Sequence, residues 1–122
     1  MKILIVDDSS VIQNMVSGML KELGHESAGA LNGQEAVDKI KEMGDIELVL
    51  LDWNMPIMTG LQFLEKNQEE SFFSNPVVMM TTENAPEKIM LALERGASEY
   101  IMKPFTSDIL QNKLQMVEDL IF

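Results

Sequence analysis

The sequence predicts an α/β fold in which helices cover both faces of a five-stranded parallel sheet. Short apolar runs alternate five times with longer segments whose apolar residues recur at helical spacing. The runs are almost continuously apolar, which is typical of strands buried on both faces of a parallel sheet. Right-handed crossovers leave few topologies for such a chain. We therefore expect a doubly wound, flavodoxin-like sheet with strand order 2-1-3-4-5.

The five predicted strands come from the short apolar runs. The first run is β-branched and is followed by acidic residues, and the third is apolar except for Glu47. The predicted strands span residues 2–6, 26–30, 46–51, 76–80 and 99–102. Each is short enough for a buried strand and is followed by a longer segment with helical periodicity.

The segments between the strands carry residues that begin and end helices. Ser10 with Gln13 has the spacing of a capping box, and the helix that follows has one apolar stripe. The stripe consists of Val11, Ile12, Met15, Val16, Met19, Leu20 and Leu23. Capping residues are predicted at Ser10, Asn32, Asn84 and Thr106, and helix ends at Gly24, Gly44 and Gly96. A short third helix is predicted over residues 61–67, and the last helix is predicted to end near Phe122.

Length and charge limit the classes of protein to which this chain can belong. The 122 residues suit one domain, 1–122, and there is no cysteine to form a disulfide or a thiolate metal site. With 9 basic and 20 acidic residues, the net charge of -11 argues against binding nucleic acid, because such proteins neutralise phosphates with Lys and Arg. No apolar run approaches the roughly 20 residues of a membrane helix. We expect a cytoplasmic protein that binds neither nucleic acid nor membrane.

Polar side chains follow four of the predicted strands. Asp7 and Asp8 follow the first, Asp52 the third, Thr81 the fourth and Lys103 the fifth. Because parallel strands lie about 4.8 Å apart and end at the same edge, these side chains should converge. Three carboxylates that close repel one another unless a cation lies among them. Oxygen ligands without Cys or suitably spaced His predict a hard ion, Mg²⁺.

This set of residues resembles the receiver domain of bacterial response regulators over essentially the full chain. The resemblance rests on Asp7-Asp8, Asp52, Thr81 and the run Lys103-Pro104-Phe105, in order and each at a strand end. The stretch from Asp52 to Pro56 with Gly60, and the run from Gly96 to Tyr100, are especially similar to the CheY-like chemotaxis group of that family.

The resemblance implies roles for the acidic residues and their neighbours. Asp52 is expected to accept a phosphoryl group from a phosphohistidine. Asp8, Asp52 and the backbone carbonyl of Asn54 are expected to ligate Mg²⁺, with Asp7 contacting a metal-bound water. Lys103 is expected to pair with the phosphoryl oxygens, and the Lys103-Pro104 bond to be cis.

The resemblance also implies a switch and a controlled lifetime. Thr81 is expected to move to the phosphoryl group and Tyr100 to follow it inward. Asn54 and Glu83 occupy the positions that tune hydrolysis, so a short-lived phosphorylated state is expected. The chain would catalyse its own phosphorylation and dephosphorylation rather than act as an enzyme on a separate substrate.

The implied partners are a CheA-like histidine kinase and the flagellar motor switch. Since the sequence stops after the fifth helix, the output is expected to be a surface made by the fourth helix, fifth strand and fifth helix. Candidate residues there are Asn84, Ile89, Leu93, Tyr100, Met102, Phe105 and Lys113. His25, the one histidine, is expected to be a solvated loop residue, so the phosphodonor must be another protein or a small molecule.

Two other functions remain open from the sequence. The domain can instead relay phosphoryl groups to a histidine phosphotransfer protein or serve as a phosphate sink. A Mg²⁺-dependent phosphatase of the aspartyl-phosphate type also uses an Asp nucleophile at a strand end. Such enzymes need a second acid two residues later, where this chain has Asn54, and a cap that this chain lacks.

Overall fold

A computed structural model describes residues 1–82 and 84–121 and contains the predicted sheet. Its strands are β1 (Lys2–Val6), β2 (Glu26–Ala30), β3 (Leu48–Asp52), β4 (Val77–Thr81) and β5 (Glu99–Met102). All neighbouring strands pair in parallel, in the order β2-β1-β3-β4-β5. The predicted fold class and strand order are therefore confirmed.

Five helices cover the two faces of the sheet. They are α1 (Ser10–Glu22), α2 (Gly33–Met43), α3 (Gly60–Glu70), α4 (Pro86–Glu94) and α5 (Ser107–Glu118). Apolar residues of α2, α3 and α4 pack with Leu4 and Val6 of β1, whereas those of α1 and α5 pack with Ile3 and Ile5. Alternate strand residues thus serve two separate core layers, as the two-residue side-chain period of a strand requires. Within the part of the chain that the structure describes, no helix is long and apolar enough to cross a membrane.

The start of α1 differs from the prediction. Ser9, not Ser10, is the N-cap: it has extended backbone angles, and its hydroxyl accepts from the Ile12 amide at 3.3 Å. Ser10 already has helical geometry, so its side chain cannot take the capping role. Gln13 consequently is not part of a capping box, and its side chain turns toward the sheet. The predicted apolar stripe is also too wide, because Val11 is 70% exposed.

Other helix boundaries were partly predicted. Asn32 and Thr106 cap α2 and α5 as expected, each accepting from a backbone amide three residues later. Asn84 does not cap α4: the N-cap is Ala85, without a side-chain cap bond, and Pro86 occupies the first turn. The third helix is longer than predicted at both ends: it begins at Gly60, after a full capping box at Thr59, and continues to Glu70. The last helix ends at Glu118, four residues before the predicted end.

Two strand ends matter for function. β3 extends to Asp52, whose Cα pairs with that of Met80, so Asp52 belongs to the sheet rather than to the following loop. β4 likewise extends to Thr81, which pairs with Met102 of β5. Both strands end one residue later than predicted. The backbones of these two residues are therefore fixed by ladder pairing, and both residues are buried.

Candidate functional site

Three carboxylates meet at the carboxyl edge of the sheet. Asp7 and Asp8 directly follow β1, and Asp52 ends the adjacent strand β3. One carboxylate oxygen from each lies within 4.8 Å of the others. Asp7 and Asp52 are buried, whereas Asp8 is exposed. The structure thus brings together the three acids that the sequence predicted to converge.

Lys103 lies between two of these carboxylates. Its Nζ donates to Asp7 Oδ2 at 2.8 Å and to Asp52 Oδ1 at 2.9 Å. The residue follows β5, and its backbone amide donates to the Thr81 carbonyl at 2.8 Å, which fixes its position relative to β4. The Lys103–Pro104 peptide bond is cis, as expected. One ammonium therefore bridges the carboxylates that follow or end β1 and β3.

Burial and charge act in opposite directions on this ion pair. Burial raises the pKa of the Asp52 carboxyl above its usual value, and this effect outweighs the hydrogen bond and charge of Lys103, which lower that pKa. Burial alone would lower the pKa of the Lys103 ammonium, but the hydrogen bonds that it donates to Asp7 and Asp52 reverse that effect and the pKa is raised. The lysine is therefore firmly protonated, yet one shared ammonium does not fully compensate the buried Asp52 carboxylate.

The donor set fits a hard divalent cation. Asp7 Oδ1 accepts from the Ser9 amide at 2.9 Å and its Oδ2 from Lys103, so Asp7 is held rigidly by the protein. Asp8 faces solvent, and Asp52 accepts from Lys103 through only one of its oxygens. Carboxylate oxygens retain further lone pairs after one hydrogen bond. An oxygen-only cluster with one solvent-exposed acid matches the preference of Mg²⁺ for few carboxylates and several waters.

The structure describes three of the four remaining predicted site residues. Asn54 is exposed two residues after Asp52, and Thr81 is buried at the end of β4. Tyr100 on β5 is partly buried, with the Lys113 Nζ 4.8 Å from its ring centroid. Glu83 lies outside the described residues. Trp53, next to Asp52, packs against the core layer formed with α2, α3 and α4.

Two predictions about individual residues were wrong. Phe105 was placed on the partner surface, but it is buried against core residues of α1 and α5. Its ring is large and apolar, so burying it in the core removes apolar area from water that a surface position would leave exposed in the free protein. His25 was predicted to be solvated, but it is partly buried, and its Nδ1 lies 3.0 Å from the amino-terminal nitrogen of Met1.

Two residues at the site were not predicted from chemistry. Gly60 begins α3, and a Cβ added there would lie 2.4 Å from the Asp52 carbonyl oxygen. The sequence contained this glycine only as part of a family motif. Gln13 contacts the carbonyl of Asp7 with its side chain. No sequence signal separated that contact from a capping pattern.

Comparison with known proteins agrees with this geometry. The family model described as "Response regulator receiver domain" matches residues 3–115. Chemotaxis protein CheY1 of Helicobacter pylori is 40% identical over 119 residues, covering 96% of both proteins. A chemotaxis protein CheY homolog of Campylobacter jejuni is 39% identical over 119 residues, covering 96% of this chain and 92% of that protein.

Solved structures give the same result. Chemotaxis protein CheY4 of Vibrio cholerae has a TM-score of 0.87 and 38% identity, covering 95% of this chain and 97% of that one. A CheY-like response regulator receiver domain protein from Methanospirillum hungatei has a TM-score of 0.83 and 30% identity, covering 98% and 94%. The family match covers most of the sequence and the strand order agrees. The chain belongs to the response regulator receiver domain family.

Proposed function

We propose that this chain is a CheY-like response regulator in which Asp52 accepts a phosphoryl group from the phosphohistidine of a kinase. The observation that carries the proposal is the Lys103 ammonium bridging Asp7 and Asp52 within a cluster of three carboxylates. An ordinary surface ion pair has no need of a third acid. A site that must neutralise the charge of an added phosphoryl group does need further acids, because they bind a cation to which the phosphate oxygens also bind.

The residues of the chain supply position and charge for the transfer. Lys103 contacts one oxygen of Asp52, which leaves the other oxygen to attack phosphorus. The new O–P bond forms as the N–P bond of the donor breaks, and the leaving nitrogen takes a proton from solvent. Such transfers depend on in-line positioning and on neutralisation of the equatorial oxygens. Ladder pairing of Asp52 with Met80 holds the attacking group in place.

A divalent cation completes the proposed site. Asp8, Asp52 and the backbone carbonyl of Asn54 would hold Mg²⁺, with Asp7 contacting it through a water. When bound, the ion neutralises charge that develops on the phosphoryl oxygens. Lys103, which is already close to both buried acids, would pair with the same oxygens. Asn54 and Glu83 tune access of water to the phosphoryl group, and the phosphorylated state is short-lived.

Thr81 and Tyr100 are the proposed switch. Transfer converts the Asp52 carboxylate into an acyl phosphate and adds about one negative charge. The Thr81 hydroxyl then moves to donate a hydrogen bond to the phosphoryl oxygens. Tyr100 then moves inward on β5. The Lys113 ammonium over its ring ties this motion to α5. A local charge change thereby alters a larger surface.

The proposed output is a protein-binding surface, and residues 1–122 act as one receiver domain. Met90 and Leu93 of α4 are 60% and 41% exposed, and Ile109 of α5 is 45% exposed. Together with Tyr100 and Lys113 they form the face for the flagellar motor switch. The phosphodonor is a CheA-like histidine kinase. The relatives named as chemotaxis proteins support this pathway over a relay or sink.

The fluorescence of Trp53, the single tryptophan, tests the proposal. Mg²⁺ and then phosphoramidate are added while emission is followed, and intact mass records phosphorylation. We expect a saturable Mg²⁺ response and a Mg²⁺-dependent mass increase, both lost in Asp52→Asn. Asp45→Asn, a change at an exposed acid paired with Lys2, should behave like the wild type. A folded wild-type protein that gives neither response would sink the proposal.

A further inference from the structure

The side-chain amide of Gln13 contacts the ends of two strands at once. Its Nε2 lies 2.8 Å from the Ile5 carbonyl oxygen, 3.1 Å from that of Asp7 and 2.8 Å from that of Ala30. An amide nitrogen has two hydrogens, so at least one of them is shared between two carbonyls. Ile5 is the next-to-last residue of β1, Asp7 directly follows that strand, and Ala30 is the last residue of β2. One side chain from α1 therefore joins both strands beside the acidic cluster.

Strand β2 has room for this amide because of Gly29. A Cβ at Gly29 would lie 2.6 Å from Gln13 Oε1 and 3.2 Å from Gln13 Cδ. Both atoms belong to the far end of a flexible side chain. Alanine at position 29 would therefore displace the amide of Gln13 while leaving the residue itself in the sequence.

The contact with Asp7 fixes the backbone that carries two carboxylates. The Asp7 amide donates to the Ala30 carbonyl at 3.0 Å, and the Asp7 carbonyl accepts from Gln13. Hydrogen bonds thus hold the peptide groups on both sides of the Asp7 Cα. The second of these groups joins Asp7 to Asp8, so its plane sets the direction in which the exposed Asp8 side chain leaves the backbone.

We propose that Gln13 is a positioning residue for the Asp7-Asp8 pair, which it orients toward Asp52 through the carbonyl of Asp7. The inference rests on the proposed function in so far as the oriented acids serve a cation. Groups that orient metal ligands without touching the metal commonly change its affinity by about 10–100-fold when they are removed. Gln13 acts on the backbone of the ligands rather than on their side chains.

A purely structural connection between α1 and the sheet is the alternative. The chain offers a matched control, because the Ser17 hydroxyl lies 2.8 Å from that of Ser27 and also joins α1 to β2. Ser27 pairs with Ile3, at the opposite half of the strand from Ala30. Ser17→Ala thus removes a connection between the same two elements without changing any contact at the acidic cluster.

Mg²⁺ affinity separates these two roles. We would titrate Mg²⁺ into the wild type, Gln13→Met, Gly29→Ala and Ser17→Ala, following Trp53 emission, and measure the melting temperature of each. Gln13→Met and Gly29→Ala should bind Mg²⁺ about tenfold more weakly, and Ser17→Ala with wild-type affinity. Equal affinity in all four proteins, with only the melting temperature changed, would overturn the inference. The Gly29 variant keeps the test valid if Gln13→Met fails to fold.

Hydrogen exchange of the Asp7 amide gives a second readout that needs no metal. Loss of the Gln13 contact should accelerate exchange at Asp7 by roughly tenfold more than at buried Val16, because the opening is local. Equal acceleration at both amides would indicate a general loss of stability and count against a positioning role. A wild-type protein that binds no Mg²⁺ would overturn the proposed metal site and the positioning role with it. Normal wild-type binding with an unaffected Gln13→Met protein overturns the inference alone.

Discussion

Replacing Gly60 with alanine should disturb Asp52, the proposed phosphoacceptor. Gly60 is the first residue of α3, and its amide donates to the Trp53 carbonyl at 2.9 Å. An added Cβ would lie 2.4 Å from the Asp52 carbonyl oxygen and 3.1 Å from Met79 Cε. The methionine methyl group can move aside, but the Asp52 carbonyl belongs to β3, which is paired on both sides. The strain therefore falls on the backbone of Asp52.

The expected size of the effect follows from that distance. Real Cβ atoms essentially never come within 3.0 Å of such an atom, so α3 and the end of β3 must separate by about 0.6 Å. Overpacking of this kind costs about 1–3 kcal/mol of unfolding free energy. A misplacement of about 1 Å at a reacting group can cost roughly 10²-fold in rate, so a shift of this size should slow phosphorylation about tenfold.

Two measurements on one pair of variants test this reasoning. Urea unfolding gives the stability, and stopped-flow Trp53 fluorescence with Mg²⁺ and phosphoramidate gives the rate. Gly18→Ala is the control, because Gly18 lies in α1 and a Cβ there meets nothing within 4 Å. The control should gain about 0.5–1 kcal/mol from helix propensity and keep the wild-type rate.

The outcomes distinguish the steric step from the functional step. If Gly60→Ala is as stable as the wild type, the close approach to the Asp52 carbonyl is not rigid and the reasoning fails at its first step. If stability falls but the phosphorylation rate is unchanged, the strain is absorbed by α3 and does not reach the acceptor.

Three further predictions concern individual side-chain contacts. The Asn67 side chain exchanges two hydrogen bonds with the Phe73 backbone, at 2.8 and 2.9 Å. Asn67→Asp should therefore lose about 1–3 kcal/mol of unfolding free energy in urea at neutral pH, and recover part of it in acid, where the protonated carboxyl can donate. Asn112→Asp, at an exposed position, should show neither the loss nor the recovery. Burial and the nearby amino terminus lower the pKa of His25, so the folded state binds fewer protons than the unfolded state. The free energy of unfolding should therefore fall as the pH drops through the unfolded pKa near 6.5. His25→Gln should flatten this pH dependence of stability. Lys103→Met leaves two buried carboxylates without their ammonium, so the free energy of unfolding should fall by about 3 kcal/mol in buffer with a chelator and by less in excess Mg²⁺. An equal fall in both buffers would contradict a metal site.

The topology was predictable because the signals for it are local and repeated. β1, β3 and β4 are largely apolar runs of the right length, and the bounds of β1, β2 and β5 agree with the predicted residues. Parallel strands must end at the same edge, so the convergence of Asp7, Asp52 and Lys103 followed from the topology without knowledge of any side-chain contact.

Individual side-chain contacts were less predictable, for a physical reason. A capping pattern does not determine which of two adjacent serines takes extended backbone angles, and Ser9 rather than Ser10 does so. Gln13 has the right spacing for a capping box, yet its amide finds three strand carbonyls instead. The choice depends on how α1 lies against the sheet, which no local sequence window contains. The contact of His25 with the amino terminus is long-range in the same way.

The distribution of buried polar groups connects stability with the proposed function. Among the residues that the structure describes, the buried polar side chains are Asp7, Asp52 and Thr81, and all three lie at the carboxyl edge of the sheet. The rest of the core is apolar and needs no hydrogen-bond partner. Burial raises the pKa of the Asp52 carboxyl despite Lys103, so the ionised acceptor is held at a cost to the fold. A bound cation would relieve that cost only in the folded state. The unfavourable charge arrangement that weakens the cation-free protein would therefore favour cation binding, and with it the proposed phosphoryl transfer.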